Sequence, residues 1–134
     1  MKKHDEGYAL VLVLVVMIVI SLVAATVLTF SLRNLQNQQK SIQRMEDKYA
    51  AQGMVESCVQ NAKTTWQFTT ISETGISVTP VENTASSISA TIKAEVGTAT
   101  INCTVKIAKT INAKNVEVIT ITYDSYEITY REVS

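Results

Sequence analysis

Tyr8-Ala-Leu-Val-Leu-Val-Leu-Val-Val-Met-Ile-Val-Ile-Ser-Leu-Val-Ala-Ala-Thr-Val-Leu-Thr-Phe30 decides how the rest of this chain is to be read. No charged residue interrupts the chain between Gly7 and Leu32. As a helix, this run would extend roughly 35 Å at 1.5 Å per residue, enough to cross a hydrocarbon layer of about 30 Å. Its Val and Ile content would favour strand in water. In lipid, however, only a helix pairs every backbone group within one segment. A cleaved secretory signal has a shorter apolar core, about 7–15 residues, followed by a small-x-small site. Ala24-Ala25-Thr26 comes only after a run already long enough to span. The reading is therefore a membrane-resident helix, preferred to a cleaved signal or a buried core helix. Lys2 and Lys3 precede it and Arg33, Lys40 and Arg44 follow it, so the positive-inside rule alone leaves its orientation open.

Working outward, the whole chain has 134 residues, room for one domain. Twelve basic residues balance twelve acidic ones, which leaves no net field directed at nucleic acid or an anionic surface. DNA binding thus has no support in the charge. One histidine, His4, and two cysteines do not make any of the common zinc sets.

After Leu32 the apolar positions Leu35, Ile42, Met45 and Tyr49 follow helical spacing, with Gln36, Asn37, Gln38, Gln39, Lys40 and Gln43 between them. From Met54 the stripe widens through Val55, Cys58, Val59 and Ala62. No proline occurs before Pro80, so one continuous helix is expected from about Ala9 to about Trp66. Its apolar part covers residues 8–31 and its amphipathic part residues 32–66. Gly53 lies inside it, either tolerated or placed for close packing or a bend beside Ala50 and Ala51.

Residues 67–87, rich in Thr and Ser and holding Gly75 and Pro80, read as an irregular connection with one short strand at Ile76–Val78. Alternation with period two then takes over for residues 88–134. Ile88, Ala90, Ile92 and Ala94 point to one face, as do Ile101, Cys103, Val105 and Ile107 after a turn at Gly97. Thr110–Asn115 forms a further connection. A third strand is expected from Val116 to Tyr123, a tight turn at Asp124-Ser125, and a fourth strand with Tyr126, Ile128 and Tyr130 inward. The fold class is α+β: a long N-terminal helix packed on an antiparallel sheet of about four strands, the Val55–Ala62 stripe covering the sheet's apolar face.

The start of the chain, Met1-Lys-Lys-His-Asp-Glu-Gly7 before Tyr8-Ala9-Leu10 and the apolar run, resembles the class III leader of type IV pilins. The resemblance implies that residues 1–7 are a leader cut by a prepilin peptidase between Gly7 and Tyr8. It implies N-methylation of Tyr8, a cytoplasmic N-terminus in the inner or cytoplasmic membrane, and later residence in a cell-surface or periplasmic filament. Its partners would be other major and minor pilins, met through the N-terminal helices. Asp5-Glu6 departs from the usual basic leader.

A second departure is Leu12, which stands at the fifth mature position where most pilins have glutamate. A carboxylate in hydrocarbon is costly unless paired, and Leu12 removes both that cost and the attraction to a neighbour's N-terminal amine. In this the chain resembles minor pilins and pseudopilins of the PilX-like and ComGG types, and Tyr49-Ala-Ala-Gln-Gly-Met-Val-Glu56 fits the same groups. K-type pseudopilins share the missing glutamate but carry a larger inserted domain. The implied function is a priming or tip subunit in a pilus, competence or secretion filament. Ser21, Ala25 and Thr29, four residues apart, offer a strip of small side chains to another helix.

Two readings stand for Cys58 on the helix stripe and Cys103 on an inward strand face. They are two buried thiols, or they are a helix-to-sheet disulfide in an oxidising compartment. Closing that loop would contribute about 4 kcal/mol in the ideal chain-entropy treatment. With His4 in the leader, no histidine remains to activate a nucleophile, and the carboxylates from Glu73 to Glu132 are dispersed. Seven acidic residues against five basic ones from Thr64 onward name no partner. No catalytic residue, metal or cofactor is expected, and an enzyme is not the reading. Beside the filament subunit, two other classes fit the sequence. One is a bitopic membrane protein with a small extracytoplasmic adhesion or sensing domain, unprocessed at Gly7. The other is an anchored accessory subunit of an unrelated complex.

Overall fold

The computed structural model describes residues 2–132, with side chains from residue 7 onward. Residues 1 and 133–134 of the expected leader and sheet lie outside the described residues, as do the side chains of residues 2–6, His4 among them. The elements run in the order α1 (Lys2–Thr65), β1 (Ile71–Glu73), β2 (Ile76–Asn83), β3 (Ser87–Val96), β4 (Ala99–Ile111) and β5 (Glu117–Tyr130). The class is α+β with one open antiparallel sheet, in which each strand pairs with the next in sequence.

The helix α1 is unbroken, and it begins earlier than Ala9, at Lys2, taking the charged residues before the apolar run into the helix. It ends at Thr65, where Trp66 takes the left-handed conformation (φ 54°) that normally favours glycine at this cap position. The Trp66 indole Nε1–H donates to the Thr84 carbonyl (3.1 Å), and the Lys109 ammonium lies 4.1 Å from the ring centroid. These contacts hold the strained residue in place.

The chain divides into two units, the first ending at Ser41 and the second beginning at Ile42. The first is helix alone. Every large apolar side chain from Tyr8 to Leu32 is exposed, from 46% at Val16 to 73% at Tyr8 and Leu10. That span is long and apolar enough to cross a membrane.

The second unit has a core. Ala51, Val55, Val59 and Ala62 of α1 pack on Ile88, Ala90, Ile92 and Ala94 of β3 and on Ile101, Cys103, Val105 and Ile107 of β4. These are the helix stripe and the two strand faces that period and alternation select. Leu35, Ile42, Met45 and Tyr49, the narrower stripe upstream, are exposed.

The sheet has five strands, and its differences from the expected four have local causes. Residues 67–87 contain two strands, with β1 pairing Ile71–Glu73 to Ile76–Val78. Pro80 is accommodated because β1 has already ended beside it and the register shifts between Pro80 and Glu82, leaving Val81 as a bulge. Asp124-Ser125 is no turn. The strand β5 is continuous, Thr104 pairing with Ser125 and Val105 with Tyr123, so Asp124 is the extra residue of a second bulge. The β4–β5 connection is tight: Asn112 Oδ1 accepts from the backbone N–H groups of Lys114 (3.0 Å) and Val116 (3.1 Å), and Asn115 takes φ 58°.

Candidate functional site

The expected site residues of the first unit all lie on α1. Gly7 and Tyr8 are helical, and a Cβ placed on Gly7 would meet nothing within 4 Å. Leu12 is exposed, half of its surface accessible, among Val11, Val13 and Val15. The Ser21 and Thr29 hydroxyls donate to the carbonyls of Met17 (2.8 Å) and Ala25 (2.9 Å), each one turn back. Their polar atoms are thereby satisfied within the helix, as a lipid-facing or helix-facing surface requires. Ala25 and Thr29 line a shallow groove of about 390 Å³ with Leu22, Thr26, Phe30 and Arg33, while Ser21 lies outside it.

In the second unit, Cys103 is buried beneath the helix and Cys58 is half-buried at the edge of the core; both are free thiols. Burial pushes each above the ordinary thiol range, and for Cys103 the neighbouring Cys58 adds to the shift. Burial thus favours the protonated form of both thiols. Among the described residues, no three His, Cys, Asp or Glu side chains gather as a metal set.

Two features escaped sequence reasoning. The first is a clamp between α1 and the β3–β4 turn. Asp47 Oδ2 accepts from the Thr98 backbone N–H (2.8 Å) and from its hydroxyl (2.7 Å). These bonds hold the Asp47 carboxyl below its ordinary range, the backbone bond contributing most and slight desolvation opposing. Gly97 takes φ 54° in that turn, and a Cβ there would stand 2.6 Å from the Asp47 carboxylate oxygens. Glycine is required both by the backbone and by the close approach of the carboxylate. The signal available beforehand was Gly97 alone; its partner is 50 residues away along the chain.

The second feature is a cleft between the helix and the outer strand. Tyr49, Gln52, Gly53 and Glu56 of α1 and Tyr123 and Tyr126 of β5 line about 420 Å³ of open groove. Tyr123 and Tyr126 meet edge to face, centroids 6.1 Å apart and planes at 89°. Gln52 Nε2–H donates to the Tyr126 hydroxyl (3.1 Å), and Gln60 Nε2–H donates to Glu56 Oε1 (3.0 Å). Partial burial pushes the Tyr123 phenol up, and the adjacent Glu56 carboxylate adds to the shift, so the ring stays neutral at physiological pH. Tyr126 keeps the inward face expected for it, paired with Cys103, and the Asp124 bulge, invisible in composition, brings Tyr123, paired with Val105, to that same face, where both rings stay partly exposed.

No protein-family model, curated protein or solved structure matches this chain, so its identity rests on the fold and on the chemistry of these surfaces.

Proposed function

We propose that this chain is a minor pilin or pseudopilin of a type IV filament, acting in its priming or at its tip. The observation that carries the reading is the division of labour along α1. Tyr8 to Leu32 leave every large apolar side chain uncovered, while Ala51 to Ala62 of the same helix form the core with the sheet. Anchor and folded module share one secondary element. A subunit so built keeps its oily end in the membrane before assembly and covers it with the helices of neighbouring subunits afterwards, without refolding. The small-residue strip at Ser21, Ala25 and Thr29, with its hydroxyls internally bonded, suits close approach of such helices.

Leu12 assigns the specialised role within this reading. A subunit without the carboxylate has no charge to pair inside the filament, so it belongs where that contact is not made. Processing follows on the same terms: a prepilin peptidase cuts between Gly7 and Tyr8 on the cytoplasmic side, and Tyr8 becomes the methylated N-terminus. The test is intact mass and N-terminal sequencing of chain extracted from membranes of cells that express a prepilin peptidase. A chain beginning at N-methylated Tyr8 is the expected product. A chain that keeps Lys2 and Lys3 overturns the filament reading in favour of an unprocessed membrane protein.

A further inference from the structure

The sheet has two borders, and the chain closes one and leaves the other open. At the first, β1 covers β2 only as far as Val78; beyond it Pro80 has no N–H to offer and Val81 bulges out of register. Short strands, proline and bulges keep a border from pairing with foreign chain. At the other border, β5 pairs with β4 alone. From Glu117 to Tyr123 it is regular and carries no proline, lysine or glycine. After Glu117 that stretch consists of Val, Ile, Thr and Tyr, the β-branched and aromatic types that favour strand pairing. In an antiparallel ladder, residues alternate between bonding to the neighbouring strand and pointing away from it. The stretch therefore offers a row of outward N–H and C=O groups. Among the described residues, only β4 hydrogen-bonds to its backbone.

The core beneath this border is also unfinished. The inward side chains of β3 and β4, such as Ile92 and Val105, are fully buried under α1. On the same face of β5, Ile121, Tyr123, Tyr126 and Ile128 are only partly covered. The open groove of about 420 Å³ runs between Tyr123 and Tyr126 and the flank of α1 that carries Gln52, Gly53 and Glu56. A Cβ on Gly53 would meet nothing within 4 Å, so the groove stays open on the helix side. A strand laid along β5 would send every second side chain towards α1, into this groove. Its main chain would at the same time take up the outward N–H and C=O groups. One extended segment thus completes both ladder and core, which neither a globular surface nor a small molecule does.

We propose that the outer border of β5, together with the groove between β5 and α1, accepts an extended segment of a partner protein as a further strand of the sheet. The segment it fits has apolar residues at alternate positions. A second copy of this chain is a poorer occupant. Its β2 border is closed by Pro80 and Val81, and its β5, laid parallel and in register, sets Glu117, Asp124 and Glu127 each against its own like. The inference rests on the second unit alone and is independent of the filament reading.

The experiment uses the full chain in maltoside micelles and, as probe, phage-displayed random dodecapeptides, the enriched ones then made as synthetic peptides. Sequences with apolar residues at alternate positions are expected to be enriched and to bind saturably. At saturation, amide hydrogen exchange at alternate residues between Val118 and Tyr123 should slow about tenfold or more. Gly53→Phe fills the groove from a position where the fold has room. It should weaken peptide binding about tenfold or more without lowering the unfolding midpoint. Gly53→Ala, which adds only a methyl group, should hold the affinity within about threefold. No enriched peptide, enriched peptides that leave the β5 amides unchanged, or full affinity in Gly53→Phe would overturn the assignment. So would a chain that sizes as a dimer with those amides already protected before peptide is added, which identifies a second copy as the occupant.

Discussion

Along α1, the stretch from Tyr8 to Leu32 holds an almost unbroken series of large aliphatic side chains and buries none of them, whereas the stretch from Ile42 to Thr65 buries Ala51, Val55, Val59 and Ala62. The more apolar segment is the less covered one. In a domain folding alone in water the order would be reversed, because burial is what apolar area gains from folding. The difference teaches that the first segment, long and apolar enough to cross a membrane, finds no cover among the described residues of its own chain. The second segment takes its cover from its own sheet. Leu35, Ile42, Met45 and Tyr49 fall between these regimes, exposed but too widely spaced to span a membrane.

Matched substitutions put the contrast to the test, and the largest effect belongs to the core. Ile92→Ala removes a side chain with no exposed surface and should cost about 3 kcal/mol in equilibrium unfolding of the sheet. Ile18→Ala, the same truncation in the apolar run, should shift that unfolding by no more than about 0.5 kcal/mol. Equal effects at the two sites would erase the distinction. Next comes insertion: Val19→Asp should cost about 3 kcal/mol of membrane residence, read as movement of chain from the membrane fraction to the soluble one, with the sheet intact. Failure to move would show that the run is not the anchor.

The smallest effect sharpens the second region. The Asp47 carboxyl is held below its ordinary value of 3.8 in the folded chain. Its contribution to stability is therefore complete above the unfolded value and is lost as pH falls through the lower, folded one. The gap in unfolding midpoint between the native chain and Asp47→Asn should stay constant near neutrality and close below about pH 4. A gap that widens on acidification would mean that the Thr98 bonds are not what the carboxylate supplies.

Much of this was legible in the sequence because it depended on local period. The inward positions of β3 and β4, from Ile88 to Ile107, alternate strictly, and Val55, Val59 and Ala62 recur at helical spacing; all are buried. What was not legible depended on context. The short strand expected at Ile76–Val78 is the start of β2, but β1 and the rest of β2 hide in Ser/Thr-rich sequence whose pairing partner, not its composition, makes it strand. Pro80 argues against a strand unless one knows that its outer neighbour has already ended. Asp124 reads as a turn residue, and only the register across β4 shows it bulging from a continuous strand. The clamp at Asp47 and the tyrosine groove join residues about 50 and 74 apart in the chain, a separation that no local periodicity encodes.

Asp47 is the first hydrogen-bonded tie to the sheet met when α1 is followed from its N-terminal side, among the described residues. Its grip falls on the turn joining β3 and β4, strands with neighbours on both flanks, rather than on a free border of the sheet. Load carried down the helix backbone within the second unit thus meets the Arg44–Tyr130 contact on β5 and then, at Asp47, the turn between β3 and β4.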